Sequence, residues 1–249
     1  MAISNYNRLK ISDDGGLSFS EVSQFLPNQF ITDIAFDPND DQTIVVTSKN
    51  RSDDKLVDET WNIFEEPYPV YHAVGWMKRY GEVLCDLYAN QLSPNMDCLV
   101  IRPGNCYGPH DKWDFDKCHV TPATIRKVID RHHPIQVWGD GEDIRDVIYV
   151  EDFVDGLITV MENCKEKHEV VNIGSNTSYS VNEILDICME VDYYDAPVQY
   201  ISGKPSMIPI RKISSDKMKQ KYGWEASTPI HDGIFKTINW YREYYGTES

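Results

Sequence analysis

An alternation of helical and strand patterns from residue 71 to the end of the chain constrains the fold more than any other feature of the sequence. Apolar residues at three- and four-residue spacing predict an amphipathic helix over residues 75–92. The apolar run 98–101 has the length of a strand that is buried on both faces. Further strands are predicted at 135–138, 147–150 and 170–173, and further helices at 122–131, at 153–161, after the capping box of Ser180 and Glu183, and around 230–241. Strands that alternate with helices are typical of a parallel α/β sheet.

The first 46 residues have a different pattern, made of short strands and turns. Asp13, Asp14, Gly15 and Gly16 separate two strand patterns, and the glycines supply the positive φ that a tight hairpin needs. The sequence therefore predicts a small β-rich segment over residues 1–46 and an α/β portion over residues 47–249.

Charge and cysteine usage restrict the expected partners and location. The 249 residues include 24 Lys and Arg against 40 Asp and Glu, a formal net charge of −16. So few bases cannot neutralise phosphates over a wide surface, which argues against nucleic acid and anionic membranes as partners. No apolar run approaches the roughly 18 residues of a spanning helix, and the opening ten residues lack the apolar run of a signal peptide. Six cysteines without CxxC pairs predict reduced thiols, no metal site and a cytoplasmic location.

The loop RPGNCYGPHD, at residues 102–111, directly follows the strand predicted at 98–101. Ligands of open α/β sheets bind beyond the carboxyl ends of the strands, so this loop is in position to border a binding crevice. A tight structural turn is the alternative interpretation of the same composition.

Several motifs, in a fixed order, resemble one enzyme family. They are GWMKR at 75–79, the RPGNCYGPHD loop, CHVTP at 118–122, VWGDG at 137–141, IRDVIYV at 144–150 with Asp152, and YGW at 222–224. Over about residues 55–245 the chain resembles the extended short-chain dehydrogenase/reductase family of NAD-dependent nucleotide-sugar epimerases, dehydratases and reductases, and most nearly its GDP-fucose synthase branch. The resemblance implies an α/β fold class: part of a Rossmann-like parallel sheet with a sugar-nucleotide subdomain, behind the small β-rich segment.

On the cofactor side, the resemblance implies roles for five residues. Lys78 would hold the nicotinamide ribose of NAD or NADP, and its ammonium would favour the phenolate of an adjacent tyrosine. Pro103, Gly104, Asn105 and Cys106 would line the nicotinamide pocket.

On the substrate side, the resemblance makes His119 an acid in epimerisation, a task that suits a side chain titrating near neutrality. Lys127, Trp138 and Arg145 match positions that contact the nucleotide sugar. An arginine fork suits a diphosphate, and an indole ring can pack against a sugar or a base. A place in the core is the alternative for Trp138, and a helix cap is the favoured interpretation of Asp152.

The chain departs from the family pattern in two respects. The catalytic pair of the family is Tyr-x-x-x-Lys, but Val74 stands four residues before Lys78. Tyr71 lies three residues before Val74, about one helical turn, so our hypothesis is that Tyr71 replaces the missing phenol. The second departure is that no Gly-rich dinucleotide-binding turn occurs in the sequence. Because the cofactor half of the family would take about 90 further residues, we expect the start of the chain to be replaced or truncated relative to the family.

The β-rich segment allows two interpretations. It contains an Asp-box pattern formed by Ser12, Asp14, Gly16 and Phe19. With the strand patterns that follow, this pattern resembles one blade of a β-propeller, and an unrelated hairpin is the alternative. The strand at 43–48 either ends that blade or is the strand of the family that carries a catalytic Ser or Thr, which would be Thr47.

Two functions remain open from the sequence. The first, implied by the resemblance, is NAD(P)-dependent epimerisation or reduction of a 4-keto-6-deoxy or related sugar nucleotide, impaired by the missing turn and tyrosine. The second is a non-catalytic remnant or fusion that keeps a sugar-nucleotide pocket or only the scaffold. The expected small-molecule partner is a nucleotide sugar, and Tyr80, Leu84 and Tyr88 would form a homodimer face on the helix of Lys78.

Overall fold

The computed structural model describes residues 2–5, 8–11, 20–21, 35–37, 40–47, 56–60, 66–92, 96–203 and 208–246, with only the backbone for the strands before residue 48 and for residue 70. The helices are α1 (His72–Asn90), α2 (Val120–Ile129), α3 (Val150–Asn163), α4 (Val181–Val191) and α5 (Ile230–Tyr245). The strands are β1 (Ala2–Asn5), β2 (Arg8–Ile11), β3 (Ser20–Glu21), β4 (Ala35–Asp37), β5 (Asp40–Thr47), β6 (Cys98–Pro103), β7 (Asn105–Tyr107), β8 (Ile135–Trp138), β9 (Ile144–Tyr149), β10 (His168–Ile173), β11 (Ser178–Ser180), β12 (Val198–Ile201) and β13 (Ile210–Arg211). A 3-10 turn, Pro69–Tyr71, leads into α1, and a π-helical turn, Met218–Tyr222, lies between β13 and α5.

The central sheet has the strand order β10-β6-β5-β4. Strands β10, β6 and β5 run parallel, and β4 pairs antiparallel with β5. Thr47, the last residue of β5, lies opposite Ile101 of β6. Of the two interpretations of this strand, the pairing favours a place in the parallel sheet. The strand also spans both sides of the boundary predicted at residue 46.

The first three strands form a separate antiparallel sheet in the order β1-β2-β3. The strand pattern that precedes the glycines of residues 15 and 16 is β2. The Asp-box positions Ser12, Asp14, Gly16 and Phe19, together with the predicted hairpin turn between them, lie outside the described residues.

A second sheet is built around β9. This strand pairs in parallel with β7 and β13 and antiparallel with β11, while β8 and β12 form a separate parallel pair. Asn105 lies opposite Val147, and Arg211 lies opposite Arg145. The topology therefore brings the junction of β6 and β7 close to β9 and β13, which come much later in the chain.

Strand β6 is buried on both faces, as its apolar run predicted, because successive side chains point to opposite sides of the sheet. Val100 packs with Cys85 and Ala89 of α1, whereas Ile101 packs with Val160 of α3. Helices α2, α4 and α5 enclose a larger core, to which Ile125, Ile184, Ile234 and Ile238 contribute fully buried side chains.

The predicted helices and strands after residue 71 occur, with ends that differ by a few residues. Helix α1 begins at His72 rather than at residue 75. The predicted capping box of α4 is confirmed: the Ser180 hydroxyl accepts the backbone N–H of Glu183 at 3.1 Å, and the Glu183 carboxylate accepts the N–H of Ser180 at 2.7 Å. Local signals of this kind are recovered because both partners lie within one helical turn.

Asp152 does not cap the helix in which it lies. The N-cap residue of α3 is Tyr149, without a side-chain cap. The Asp152 carboxylate instead accepts hydrogen bonds from the backbone and hydroxyl groups of Ser227 and Thr228, at 2.8–3.3 Å. It therefore ties α3 to the segment that leads into α5.

The structure also bears on the cysteines and on membrane insertion. All six cysteines are free thiols, three buried and three half-buried. Within the part of the chain that the structure describes, no helix is both long enough and apolar enough to cross a bilayer.

Candidate active site

A cavity of about 1580 Å³ opens between the start of α1, the end of β6, the loop before α2, and strands β8, β9 and β13. Ten of the eleven residues that the sequence singled out border it: Tyr71, Lys78, Pro103, Gly104, Asn105, Cys106, His119, Lys127, Trp138 and Arg145. Thr47, the eleventh, pairs through its backbone with Ile101, which also borders the cavity. The side chain of Thr47 lies outside the described residues. The fold thus gathers residues that are up to 74 positions apart in the sequence, from Tyr71 to Arg145.

The cavity is richer in bases than the chain as a whole. Its lining includes six bases, Lys78, Arg79, Lys112, Lys127, Arg145 and Arg211, and four acids, Asp111, Asp140, Glu142 and Asp143. The chain as a whole has a net charge of −16. A local excess of bases in an acidic protein favours an anionic ligand at this position.

The start of α1 places Tyr71, Val74 and Lys78 on the cavity wall. Tyr71 is the N-cap residue of the helix, and its ring is half-buried. The guanidinium carbon of Arg211 lies 6.0 Å from the centre of the Tyr71 ring. Val74, at the position of the family tyrosine, is 51% exposed and offers no group that can exchange a proton.

The turn from β6 to β7 forms another part of the wall. Gly104 is required here, because a Cβ atom at this position would lie 2.5 Å from a carboxylate oxygen of Asp146. The amide of Asn105 donates to the backbone carbonyl of Asp146 at 2.9 Å, and its oxygen accepts a hydrogen bond from Arg211 Nη1 at 3.0 Å. Asn105 therefore joins β7, β9 and β13 at the edge of the cavity.

Two arginines lie side by side on β9 and β13. Arg145 pairs with Asp143 at 2.9 Å and donates to the carbonyls of Ile144 and Pro209. For Arg211, no carboxylate among the described residues lies within ion-pair distance, and burial lowers the pKa of its guanidinium. Arg211 is half-buried, and a partly desolvated cation without an acidic partner favours an anion beside it.

The loop and helix on the other side hold His119 and Lys127. His119 is the N-cap residue of α2 and is exposed at the cavity. Lys127 Nζ donates to the backbone carbonyl of Gln136 at 2.7 Å, and burial lowers its pKa. Burial also raises the pKa of the thiol of Cys118, beside His119, so this thiol is protonated at neutral pH.

Trp138 is not a core residue. Its side chain is 61% exposed at the end of β8, and it borders the cavity. Of the two interpretations from the sequence, the core position is therefore wrong.

Sequence reasoning missed Arg211 and Asp146. Arg211 reaches the cavity through the pairing of β13 with β9, which no local pattern announces. Asp146 lies inside the IRDVIYV motif, and its residue type was the available signal, since a carboxylate within a buried strand is unusual.

Comparisons with known proteins support the family resemblance. Residues 62–174 match the model of the NAD dependent epimerase/dehydratase family. A probable GDP-L-fucose synthase 1 of Oryza sativa subsp. japonica is 30% identical over 182 residues, which are 72% of this chain and 54% of that protein. A GDP-L-fucose synthase of Sinorhizobium fredii is 31% identical over 176 residues, or 69% of this chain and 54% of that protein. The chain spans about half the length of the curated relatives it matches.

Solved structures support the fold. A UDP-glucose 4-epimerase of Thermotoga maritima, solved with UDP-glucose, is 23% identical with a TM-score of 0.70, over 82% of this chain and 64% of the other. A UDP-glucuronic acid 4-epimerase of Bacillus cereus, solved with UDP-glucuronic acid and NAD, is 20% identical with a TM-score of 0.70, over 82% of this chain and 62% of the other. The predicted α/β fold is confirmed, whereas the propeller-blade resemblance finds no support in these comparisons.

Proposed function

We propose that the cavity binds a nucleotide sugar, because residues 62–174 match the model of the NAD dependent epimerase/dehydratase family. The reaction we propose is NAD(P)-dependent epimerisation or reduction of a 4-keto-6-deoxy or related sugar. The observation that carries the proposal is the concentration of six bases and an exposed indole in one cavity of an acidic protein.

The diphosphate of the ligand binds at Arg145 and Arg211. Guanidinium groups on adjacent strands present parallel N–H donors, which match the oxygens of a diphosphate. Arg145 is already paired with Asp143, so Arg211 supplies most of the uncompensated charge. Asn105 holds Arg211 in place through its amide oxygen.

The base and sugar of the ligand lie along Trp138 and Lys127. An exposed ring at the end of a strand offers a flat apolar face to a base or a sugar. Lys127 is anchored on the carbonyl of Gln136, two residues before Trp138, so its ammonium lies beside the same strand.

We assign the proton transfers to His119 and Tyr71. His119 is an exposed imidazole at the cavity, where it can give or take a proton near neutral pH. Tyr71 supplies the phenol that Val74 cannot, with Lys78 on the same wall. Thr47, at the end of β5, is the hydroxyl that we assign to hold the carbonyl oxygen of the substrate.

The residues at this wall fit the nicotinamide end of NAD or NADP. Lys78 and the turn of residues 103–106 border the same cavity, with the ammonium and the turn available to contact the nicotinamide ribose and ring. The cofactor supplies hydride transfer when bound, and this chain supplies the ribose contact and the pocket wall.

A second candidate is nucleotide-sugar binding without turnover. The observation that favours it is Val74, an apolar side chain at the cavity position where the family places its phenol. Under this function the substrate contacts persist while the redox step is lost.

Two titrations distinguish the candidates. A GDP-sugar and NADPH are each added to the full chain, and binding is followed by calorimetry and by nicotinamide fluorescence. Saturable binding of both supports the enzyme, and binding of the GDP-sugar alone supports the second candidate. Absence of GDP-sugar binding refutes both. Arg211→Ala should weaken binding about tenfold or more, whereas the matched loss of charge at Lys117→Ala, on the surface, should have no effect.

The role of Tyr71 is tested by turnover. Tyr71→Phe removes only the hydroxyl, so NADPH oxidation with a GDP-4-keto-6-deoxy sugar should fall by about 100-fold if the phenol is the acid. Tyr80→Phe, on the exposed face of the same helix, is the control. Full turnover of Tyr71→Phe would refute the assignment.

We also propose a cytoplasmic location, which the six free thiols support, and a homodimer through α1. Tyr80 and Tyr88 are 63% and 44% exposed on that helix, with Leu84 between them. Sedimentation of the wild type and of Tyr80→Asp tests the dimer, because a charge on this face should leave monomers.

A further inference from the structure

Asp146 is a buried carboxylic acid directly behind the wall of the cavity. It lies on β9, next to Arg145, and is 2% exposed. One carboxylate oxygen accepts the backbone N–H of Ser175 at 3.3 Å. The other has no hydrogen-bond partner among the residues the structure describes.

Two glycines make room for this carboxyl group. A Cβ atom at Gly104 or at Gly174 would lie 2.5 Å or 2.9 Å from the same oxygen of Asp146. These glycines follow β6 and β10, which are neighbours in the central sheet. The carboxyl group is therefore wedged between the ends of two parallel strands, where ligands of this type of sheet bind.

A gain in fold stability does not explain this arrangement. An acid with one unpartnered oxygen in the interior costs free energy that an apolar or amide side chain of similar size would avoid. A buried acid of this kind, despite its cost in stability, is typical of functional sites. The groups shown to contact the Asp146 carboxyl group from packed elements are neutral, namely Gly104, Gly174 and Ser175. Arg145 precedes Asp146 on its own strand, and Arg211 bonds Asn105.

The main chain of Asp146 also bonds to the wall of the cavity. The carbonyl of Asp146 accepts the amide of Asn105, and the oxygen of that amide accepts Arg211 Nη1. Any shift of residue 146 or of Gly104 thus moves Asn105, and with it the guanidinium that faces the ligand. We propose that Asp146 is a positioning residue, whose wedged carboxyl group sets the position of Asn105 and Arg211 for the diphosphate. This inference rests on the proposed nucleotide-sugar site.

The binding test uses two buried aspartates. Asp146→Ala should weaken binding of a GDP-sugar about tenfold, and Asp146→Asn, which keeps the shape and an acceptor for Ser175, should restore it. Asp152→Ala is the control, since Asp152 is also buried and hydrogen-bonded but does not border the cavity. It should lower stability and leave the Kd unchanged at a temperature where every variant is folded.

A double-mutant cycle separates positioning from a general loss of structure. If Asp146 acts through Arg211, then Asp146→Ala should have no further effect on the Kd in the Arg211→Ala background. Additive effects of the two substitutions would overturn the inference.

Amide hydrogen exchange gives a result that does not depend on the ligand. The N–H of Gly104, bonded to Ile173, and that of Ser175 should exchange about tenfold faster in Asp146→Ala than in Asp152→Ala. Equal rates would overturn the inference even if the GDP-sugar binds. Faster exchange in a chain that binds no GDP-sugar would leave the positioning role in place and refute the proposed function.

Discussion

The helix that presents Lys78 to the cavity is tied to the central sheet by one buried ion pair, between Glu82 and Arg102. The two side chains are 3% and 4% exposed, and the hydrogen bonds from Arg102 Nε and Nη2 to the carboxylate measure 3.0 and 2.7 Å. Glu82→Gln is the informative perturbation, because it keeps the shape of the side chain but removes its charge.

The expected loss of stability is large, although the substitution only replaces one carboxylate oxygen with an NH₂ group. A glutamine oxygen can accept only one of the two arginine donors, and its NH₂ group then faces the other donor. The positive charge of Arg102 is left in the interior, where Arg79, 4% exposed, is already a second buried guanidinium. Removal of one partner from a buried pair costs about 3–5 kcal/mol. With an m-value of about 2 kcal/mol/M, the urea midpoint should fall by about 2 M.

Urea unfolding, followed by fluorescence and circular dichroism, measures this loss. Asp114→Asn is the control, because the pair of Asp114 and Lys117 lies 3.6 Å apart with both side chains more than half exposed, and its loss should cost less than about 1 kcal/mol. The double replacement Glu82→Leu with Arg102→Met should recover most of the stability, since it removes both charges. A midpoint for Glu82→Gln no lower than that of Asp114→Asn would refute the reasoning.

Three further outcomes are expected. Asp192→Asn should cost about 3 kcal/mol in urea unfolding, because the carboxylate of Asp192 is 3% exposed and pairs with both Arg131 and Arg242. Burial raises the pKa of Asp146 from 3.8 to about 7, so the folded state keeps a proton that the unfolded state loses. Its contribution to stability is full below about pH 4 and is lost as the pH rises to about 7, a change of up to about 4 kcal/mol. Asp146→Asn should remove this slope in unfolding curves across that range, and an unchanged slope would contradict it. Trp138→Ala should weaken GDP-sugar binding in calorimetry while stability changes by less than about 0.5 kcal/mol, since the ring is largely exposed.

Local patterns were sufficient to predict the elements of the α/β portion. The capping box of Ser180 and Glu183 marks the start of α4, and the apolar run of β6 announces a strand that is buried on both faces. Such features depend on residues within one turn or one strand, so periodicity and capping chemistry identify them. The predicted starts of α1 and α3 lie three residues after the observed starts, His72 and Val150. A few residues at a helix terminus can be helical or non-helical at similar cost, so local patterns do not define the ends.

Strand pairing between distant parts of the chain brings Arg211 to the cavity, and the sequence alone did not reveal it. Arg211 becomes a cavity residue only because β13 pairs with β9, whose facing residue, Arg145, lies 66 residues earlier in the chain. The exposure of Trp138, by contrast, follows from the alternation of β8, in which Trp138 shares the exposed face with Gln136 while Ile135 and Val137 are buried. The motif resemblance supplied most candidate residues, but their common cavity is a property of the fold.

The distribution of charge explains how an acidic chain can still hold an anion. At physiological ionic strength, charges are screened over about 8 Å, so the surface acids that produce the net charge act weakly at the cavity. The half-buried guanidinium of Arg211 is screened less than these surface charges, and it lacks a carboxylate partner among the described residues. The hydrogen bond from Arg211 to Asn105 fixes its direction without neutralising it. Binding strength at this site therefore depends on the placement of a few buried and half-buried donors rather than on the field of the whole protein, and the residues that set their position matter as much as those that touch the ligand.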